Sequence, residues 1–308
     1  MRNFLIAALM MVGAVASTAQ NPKFRSTVSV VRVDALVTDG RKPVAGLTPA
    51  NFEVRDNGVA QKIIDVQYES LPLNVICVLD VSGSVAGKPL VQLKDATGAV
   101  VDSLAAGDRA ALATFSNRLR LHSRLTADRD GLRAAVGAVT ASGLTALFDA
   151  IFAGLALREA DDGRTLLLLF SDGEDTVSWL TASQVLDAAK RSDVVVYPVK
   201  AREVTPMELI RIVPSLHGQL LQTRRIETKS ASEYVFGELA EETGGRVIYA
   251  EMSTLRETFL ATLQEFRQRY VISYGPIGVP AGGWHTIDVK LHGRSGSVKA
   301  RRGYADSR

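Results

Sequence analysis

Asp80, Ser82 and Ser84 alternate at the end of the run Leu73–Val85, where the apolar stretch LNVICVL gives way to DVSGSV. One carboxylate and two hydroxyls are all hard oxygen groups. Together they suit a divalent cation such as Mg²⁺ better than acid–base or nucleophilic chemistry. No GxSxG elbow surrounds either serine, and no histidine is placed by a recognisable motif to serve as their base. A P-loop and a GxGxxG turn are also missing. His122, His217, His285 and His292 are scattered without zinc-ligand spacing and read as surface or satisfied core residues. The expectation is a protein that is not an enzyme, with a hydrolase using Ser82 or Ser84 as the alternative.

Two further segments carry oxygen groups. Ser142-Gly143-Leu144-Thr145 precedes a helical stretch beginning near Ala146, and Asp172-Gly173-Glu174-Asp175 directly follows the apolar run Thr165–Phe170. Taken singly, each has a bland reading: Asp172-Gly173 as a turn pair, Thr145 as a helix N-cap, the serines as partners of loop backbone. Taken together they have a common geometry. In an open α/β sheet the loops beyond the carboxyl ends of central strands meet in one crevice. Asp80 and Asp172 both lie just past strand ends, and Thr145 sits at a helix N-terminus that can face the same crevice. Asp149, Glu174 and Asp175 read as local capping or solvated charge.

The elements that must position these loops follow from periodicity. From Leu73 to about Gln268, strand-like runs alternate with helical ones. Strands are expected at Leu73–Leu79, Ala110–Phe115, Leu119–Leu125, Thr165–Phe170, Val194–Val199 and Arg246–Tyr249. The first and fourth are nearly continuous apolar runs, as in central parallel strands covered on both faces. Leu90, Leu93, Thr97, Val100, Val101 and Leu104 form one helical stripe, and Leu255, Phe259, Leu263 and Phe266 another. Thr181…Gln184 and Thr254…Glu257 read as capping boxes, and Gly244-Gly245 as a helix stop. This pattern predicts an α/β fold over residues 73–268, a doubly wound, mainly parallel sheet flanked by helices.

Either side of it the period falls to two. Val31, Val33, Ala35 and Val37 alternate, as do Ile64, Val66 and Tyr68, with Asn57-Gly58 between them as a hairpin turn signal. Tyr270, Ile272 and Tyr274 alternate near the other end, followed by Ile287, Val289 and Leu291 and then by Val298 and Ala300. Segments 24–70 and 269–305 each hold too few strands to bury much apolar surface alone. They are therefore expected to pair as a small antiparallel β-sandwich. Ala201–Ser230 is the least legible stretch: Met207–Val213 reads as a short helix, and the polar run Gln222–Ser232 as a loop.

The three loops resemble the metal-ion-dependent adhesion site of the von Willebrand factor type A (VWA) domain. That family's pattern is Asp-x-Ser-x-Ser, a distant Thr and a distant Asp, matched here by Asp80, Ser82, Ser84, Thr145 and Asp172. The flanks are similar to those of secreted bacterial VWA-related proteins, in Asn51-Phe52-Glu53-Val54…Asp56-Asn57-Gly58 and in Arg269-Tyr270…Ala300-Arg301-Arg302-Gly303-Tyr304. The resemblance implies a VWA, Rossmann-like sheet. It implies direct ligation of Mg²⁺ (or Mn²⁺ or Ca²⁺) by Ser82, Ser84 and Thr145, with Asp80 and Asp172 acting mainly through waters. It also implies that the cation bridges to an Asp or Glu of a partner protein. A scaffold role with a merely stabilising metal is the alternative.

The rest of the chain bounds this reading. Its 308 residues are 46% apolar and 22% charged, an ordinary globular composition. A net charge of +3 calls for no nucleic-acid partner, and the basic clusters Arg224-Arg225 and Lys299–Arg302 read as solvated faces. Arg2, the apolar run Phe4–Ala16 and small residues allowing cleavage after Ala16 or Ala19 make residues 1–19 a signal peptide, too short to span a membrane. The mature protein is expected to be soluble and secreted, periplasmic or at the cell surface, with no transmembrane segment. The single Cys77 lies inside an apolar strand, so no intrachain disulfide is available.

Overall fold

The computed structural model describes residues 30–161, 163–201 and 230–306. The signal-peptide expectation at 1–19, the helix expected at Met207–Val213, His217 and Arg224-Arg225 lie outside the described residues.

The central element is a six-stranded sheet of β6 (Leu73–Asp80), β7 (Arg109–Phe115), β8 (Leu119–Thr126), β9 (Arg164–Ser171), β10 (Val195–Ala201) and β11 (Ile248–Ala250), in the order β11-β10-β9-β6-β7-β8. Neighbours are parallel except β8, which turns back antiparallel on β7. The strand pairings explain the continuous apolar runs. Val75, Cys77 and Leu79 of β6, with Leu166, Leu168 and Phe170 of β9, face one core cluster. Ile76 and Val78, with Leu167 and Leu169, face the other. Alternate side chains of a strand point to opposite faces, so a strand covered twice has no polar position to spare. Each such Leu or Ile contributes roughly 1.5–3 kcal/mol on burial.

Helices cover both faces. On one side lie α1 (Lys88–Asp102), α2 (Arg129–Gly137) and α6 (Leu255–Arg267); on the other lie α3 (Leu147–Ala156), α4 (Ala182–Arg191) and α5 (Ala231–Thr243). The stripe of α1 is buried at Leu93, Thr97, Val100 and Val101, and that of α6 at Leu255, Phe259, Leu263 and Phe266. The capping box at Thr181 and Gln184 is formed. The one expected at Thr254 is not: a 3₁₀ turn, Met252–Thr254, precedes α6, and the Thr254 hydroxyl donates back to Glu251 O at 3.3 Å. Turned back onto that carbonyl, the hydroxyl does not face the helix N–H groups, and no side-chain cap bond forms. Helix α5 begins at Ala231, inside the stretch expected to be a loop.

The terminal segments interleave in two smaller sheets. β1 (Val31–Asp39) pairs antiparallel with β12 (Tyr270–Tyr274) and with β14 (Ser297–Ala300), and also with β2 (Lys42–Pro43). β5 (Ile63–Tyr68) pairs with β12. In the second sheet β13 (Gly283–Leu291) lies between β15 (Gly303–Asp306) and β3 (Phe52–Asp56), with β4 (Val59–Gln61) at the edge. Asn57 and Gly58 both take positive φ, 46° and 82°, in the tight turn between β3 and β4. Val33, Tyr270 and Ile272 of one sheet share a core cluster with Phe52, Val54 and Ile287 of the other. Arg269, wholly buried between α6 and β12, donates to Tyr197 Oη on β10, to Asp34 O on β1 and to Lys299 O on β14, tying the small sheets to the large one. Among the described residues no helix is long and apolar enough to cross a membrane.

Candidate functional site

Strand order decides where the oxygen groups go. From β6 the chain crosses to β7 on one side, and from β9 it crosses to β10 on the other. The carboxyl ends of the adjacent strands β6 and β9 therefore flank the sheet's crevice. Asp80 is the last residue of β6 and Ser171 the last of β9. Asp80 is wholly buried: Oδ1 accepts from Ser82 N at 2.9 Å and Oδ2 from Ser171 Oγ at 2.6 Å. Burial pushes the Asp80 carboxyl above the usual carboxylate range; the hydrogen bonds from Ser171 and Ser82 oppose the rise and the nearby Asp172 adds to it.

The first loop then runs outward. Ser82 and Ser84 face each other with their hydroxyls 3.1 Å apart, and Ser84 Oγ donates to Asp172 Oδ1 at 3.1 Å. The second loop is stitched to the first by Ser142 N to Val81 O at 2.8 Å and Gly83 N to Gly143 O at 2.9 Å. Gly143 has φ +91°, and a Cβ there would come within 2.6 Å of Asn117 Oδ1, so this crossing requires glycine. Thr145 follows, nearly buried. The third loop holds its backbone at both ends: Thr145 O accepts from Thr176 N at 2.8 Å, and Thr145 N donates to Thr176 Oγ1 at 3.0 Å. A Cβ on Gly173 would lie 3.8 Å from Thr145 Oγ1, which puts the Thr145 hydroxyl against the loop carrying Asp172.

All five side chains singled out from the sequence thus meet at one end of the sheet. Ser171 and Thr176 were not among them, though they hold Asp80 and Thr145 in place. Ser171 is adjacent to Asp172 in sequence, but a strand-terminal serine carries no signal of its own. Asp175 accepts from Leu147 N at 2.8 Å and Phe148 N at 3.2 Å, capping α3 across the chain. Asp149 likewise accepts from Trp179 N and Leu180 N. Glu174 accepts from Ser232 N and pairs with Lys200 at 3.5 Å.

The donor set fits a hard cation. It comprises three hydroxyls and two carboxylates, with one hydroxyl, Ser84, already shared between Ser82 and Asp172. Among the described residues no group of three or more His, Cys, Asp or Glu side chains could hold a metal, so any cation here relies on hydroxyl oxygens. His285 is a buried core residue bonded to Asp56 at 2.7 Å, and His122 bonds Thr114 Oγ1 at 2.8 Å. His292 is exposed.

A mainly parallel open sheet with helices on both faces and three oxygen-rich loops at its switch point defines the α/β class. Within that class, the profile of the von Willebrand factor type A domain matches residues 74–233, and the chain belongs to this family. VWA domains often bind divalent metal and mediate protein interactions. An uncharacterized protein of Synechocystis sp. is 32% identical over 109 residues, which are 34% of this chain and 26% of that protein. The match thus spans about a quarter of that curated relative. Among solved structures, a von Willebrand factor type A protein from Catenulispora acidiphila superposes with a TM-score of 0.51 at 14% identity, covering 88% of this chain and 75% of that one. The vWF domain of the type V pili tip protein Mfa5 from Porphyromonas gingivalis gives a TM-score of 0.48 at 12% identity, covering 63% and 94%. At such identities the likeness is one of fold.

Proposed function

We propose that this protein is a divalent-cation-dependent protein-binding module that is not an enzyme. The observation that carries the reading is the convergence of Asp80, Ser82, Ser84, Thr145 and Asp172 at the carboxyl ends of β6 and β9, with Ser84 bonded across the crevice to Asp172. Ser82, Ser84 and Thr145 would hold Mg²⁺, or Mn²⁺ or Ca²⁺, through hydroxyl oxygens, and Asp80 and Asp172 would act through waters. Bound there, the cation supplies an electrophilic position for an Asp or Glu carboxylate of a partner. The chain's own contribution is rigidity. Asp80 fixes the first loop through Ser82 N, Ser171 fixes Asp80, and Thr176 fixes Thr145. Few direct carboxylate ligands leave the positive charge under-neutralised, which favours a partner's carboxylate over a closed structural site.

In the same reading residues 1–19 are a signal peptide, 24–70 and 269–305 form one β-sandwich, and 73–268 the VWA domain of a protein outside the cytoplasm. Titration with Mn²⁺ followed by electron paramagnetic resonance tests the cation site. One site is expected, lost in Ser84→Ala and Asp172→Asn with the fold retained. Retention of a protein partner from an extracellular fraction in Mg²⁺, and its release by EDTA, tests the second half. Capture indifferent to EDTA and to both substitutions would refute the proposal.

A further inference from the structure

The loops that form the candidate cation site also carry apolar side chains into solvent. Leu144, directly before Thr145, is 58% exposed, and Trp179 is 94% exposed. A single exposed leucine is ordinary on a protein surface, whereas tryptophan is highly buried on average. Trp179 does not ride on a loose segment. Ser178 Oγ accepts from Phe148 N at 3.0 Å and from Asp149 N at 3.2 Å. Trp179 N donates to both oxygens of Asp149 at 3.1 Å, and Leu180 N donates to Asp149 Oδ1 at 2.9 Å. Leu180 packs against the core on that face of the sheet. The segment is thus clamped to the first turn of α3, the helix that Thr145 precedes, and its indole is turned outward. Thr176 N and Val177 N both donate to Thr145 O, at 2.8 and 3.2 Å. Three residues of chain span at most about 11 Å, so Trp179 stands within that reach of Thr176, beside the cation site.

Charge at this rim is positive where it is uncommitted. Asp149 and Asp175 accept from backbone N–H groups, and Glu174 pairs with Lys200. Arg118 lies in the link between β7 and β8, which is tied to the second loop by Ala146 N to Ser116 O at 2.8 Å. Lys88 is the first residue of α1, just past the first loop. Both are exposed, and among the described residues neither has a carboxylate within ion-pair distance. Exposed tryptophan and arginine on a rigid frame are the side chains that most often carry the energy of a protein interface. We infer that the partner of this site is an acidic segment with an aromatic or branched aliphatic side chain within two or three residues of the carboxylate that the cation takes, the apolar group being seated on Trp179 and Leu144. Such selection rests on the cation-dependent binding proposed above. The cation sets the requirement for a carboxylate, and Trp179 sets the choice among carboxylates. Arg118 and Lys88 favour a segment of net negative charge and speed its approach.

The test uses the full mature chain and a displayed library of short peptides with Glu fixed at the centre and random flanks, selected in Mg²⁺. Selected peptides are then labelled, and their affinity is read by fluorescence anisotropy. Aromatic or branched residues should be enriched beside the Glu, and replacing that Glu by Gln should abolish binding. Trp179→Ala should weaken the selected peptides at least tenfold, while Trp179→Phe keeps most of the affinity. Leu144→Ser and Arg118→Gln should each cost a few-fold, the second only at low salt. The indole is almost wholly in solvent, so Trp179→Ala removes no buried contact and its loss reports on the partner. The chain has two tryptophans, and in a Trp284→Phe background the emission of Trp179 should shift to the blue on peptide binding. Mg²⁺-dependent binding with no preference among flanking residues, no enrichment by a chain that does bind Mn²⁺, or an affinity unchanged in Trp179→Ala would overturn this inference and leave the cation site standing. A chain that binds no Mn²⁺, or peptides retained in EDTA, would overturn both.

Discussion

The two ends of the central sheet are built from opposite chemistry. At the carboxyl end, hydroxyls and carboxylates gather, and the buried Asp80 carboxyl is held by a backbone N–H and a hydroxyl. At the amino end, arginines gather, and Arg164 reaches Asp34 and the Phe266 carbonyl. The first end is made of loops from one domain, stitched by backbone hydrogen bonds. The second is made of side chains from segments far apart in sequence, such as Asp34, Arg164 and Arg301. A loop-built end can lose a side chain and keep its shape. A seam held by long side chains cannot, because each guanidinium is itself the connection.

That contrast fixes an order of effects. Arg164→Ala should be the most damaging, because it strands Asp34 beside a half-satisfied Arg269 and removes the link from β9 to α6. Breaking a buried pair from one side costs about 3–5 kcal/mol, and urea unfolding should show that loss. If the loss is below about 1 kcal/mol, the seam is not held as described. Asp80→Ala leaves the Ser82 N–H and the Ser171 hydroxyl without their acceptor, at about 1–3 kcal/mol for an orphaned buried group. It should also abolish Mn²⁺ binding, whereas Arg164→Ala should not.

Alkali separates the ends in another way. Burial pushes the Tyr197 phenol up to about 12, and its hydroxyl is bonded to Glu265 and receives Arg269 on the seam side. The folded state favours the neutral phenol. Its contribution is therefore complete below the ordinary tyrosine value near 10 and is lost as pH climbs from there through about 12. Unfolding free energy should fall over that window by on the order of 2 kcal/mol from this group, and Tyr197→Phe should flatten the slope. A slope unchanged by that substitution would separate the phenol from the seam. The smallest stability effect is expected for Ser84→Ala, within about 0.5 kcal/mol, although it should remove the cation site. A large loss of stability there would mean that the loop is held by the hydroxyl network and not by its backbone.

Much of the carboxyl end was legible from the chain. The runs Leu73–Leu79 and Thr165–Phe170 lie within β6 and β9, because a strand buried on both faces admits almost no polar residue. Asp80 and Asp172 stood out because polarity resumes abruptly where such a strand ends. Ser171, Thr176 and Asp175 were not legible as partners. A serine or an aspartate in a loop looks the same whether it faces solvent or caps a helix 28 residues away. The basic run Lys299–Arg302 read as a solvated face, and this is a correction. Lys299 and Arg302 do meet carboxylates of α5, but Arg301 turns inward to Gly303, Lys190 and a small cavity. Arg301 and Arg302 lie in the link between β14 and β15, where no period says which side chain turns inward, and charge alone does not say which face is covered.

The sequence by itself determined the alternating α/β class, its central strands and the five oxygen-bearing residues of the candidate site. These are local properties: burial on both faces writes an apolar run, and loop chemistry begins where the run stops. Tertiary structure alone decided that β1 lies between β12 and β14 and that Asp34 meets Arg164 from 130 residues away. It also decided that Arg301 turns to the carbonyls of Gly303 and Lys190. Pairing across such distances leaves no period in the chain. It depends on which surfaces remain uncovered once the local elements have formed.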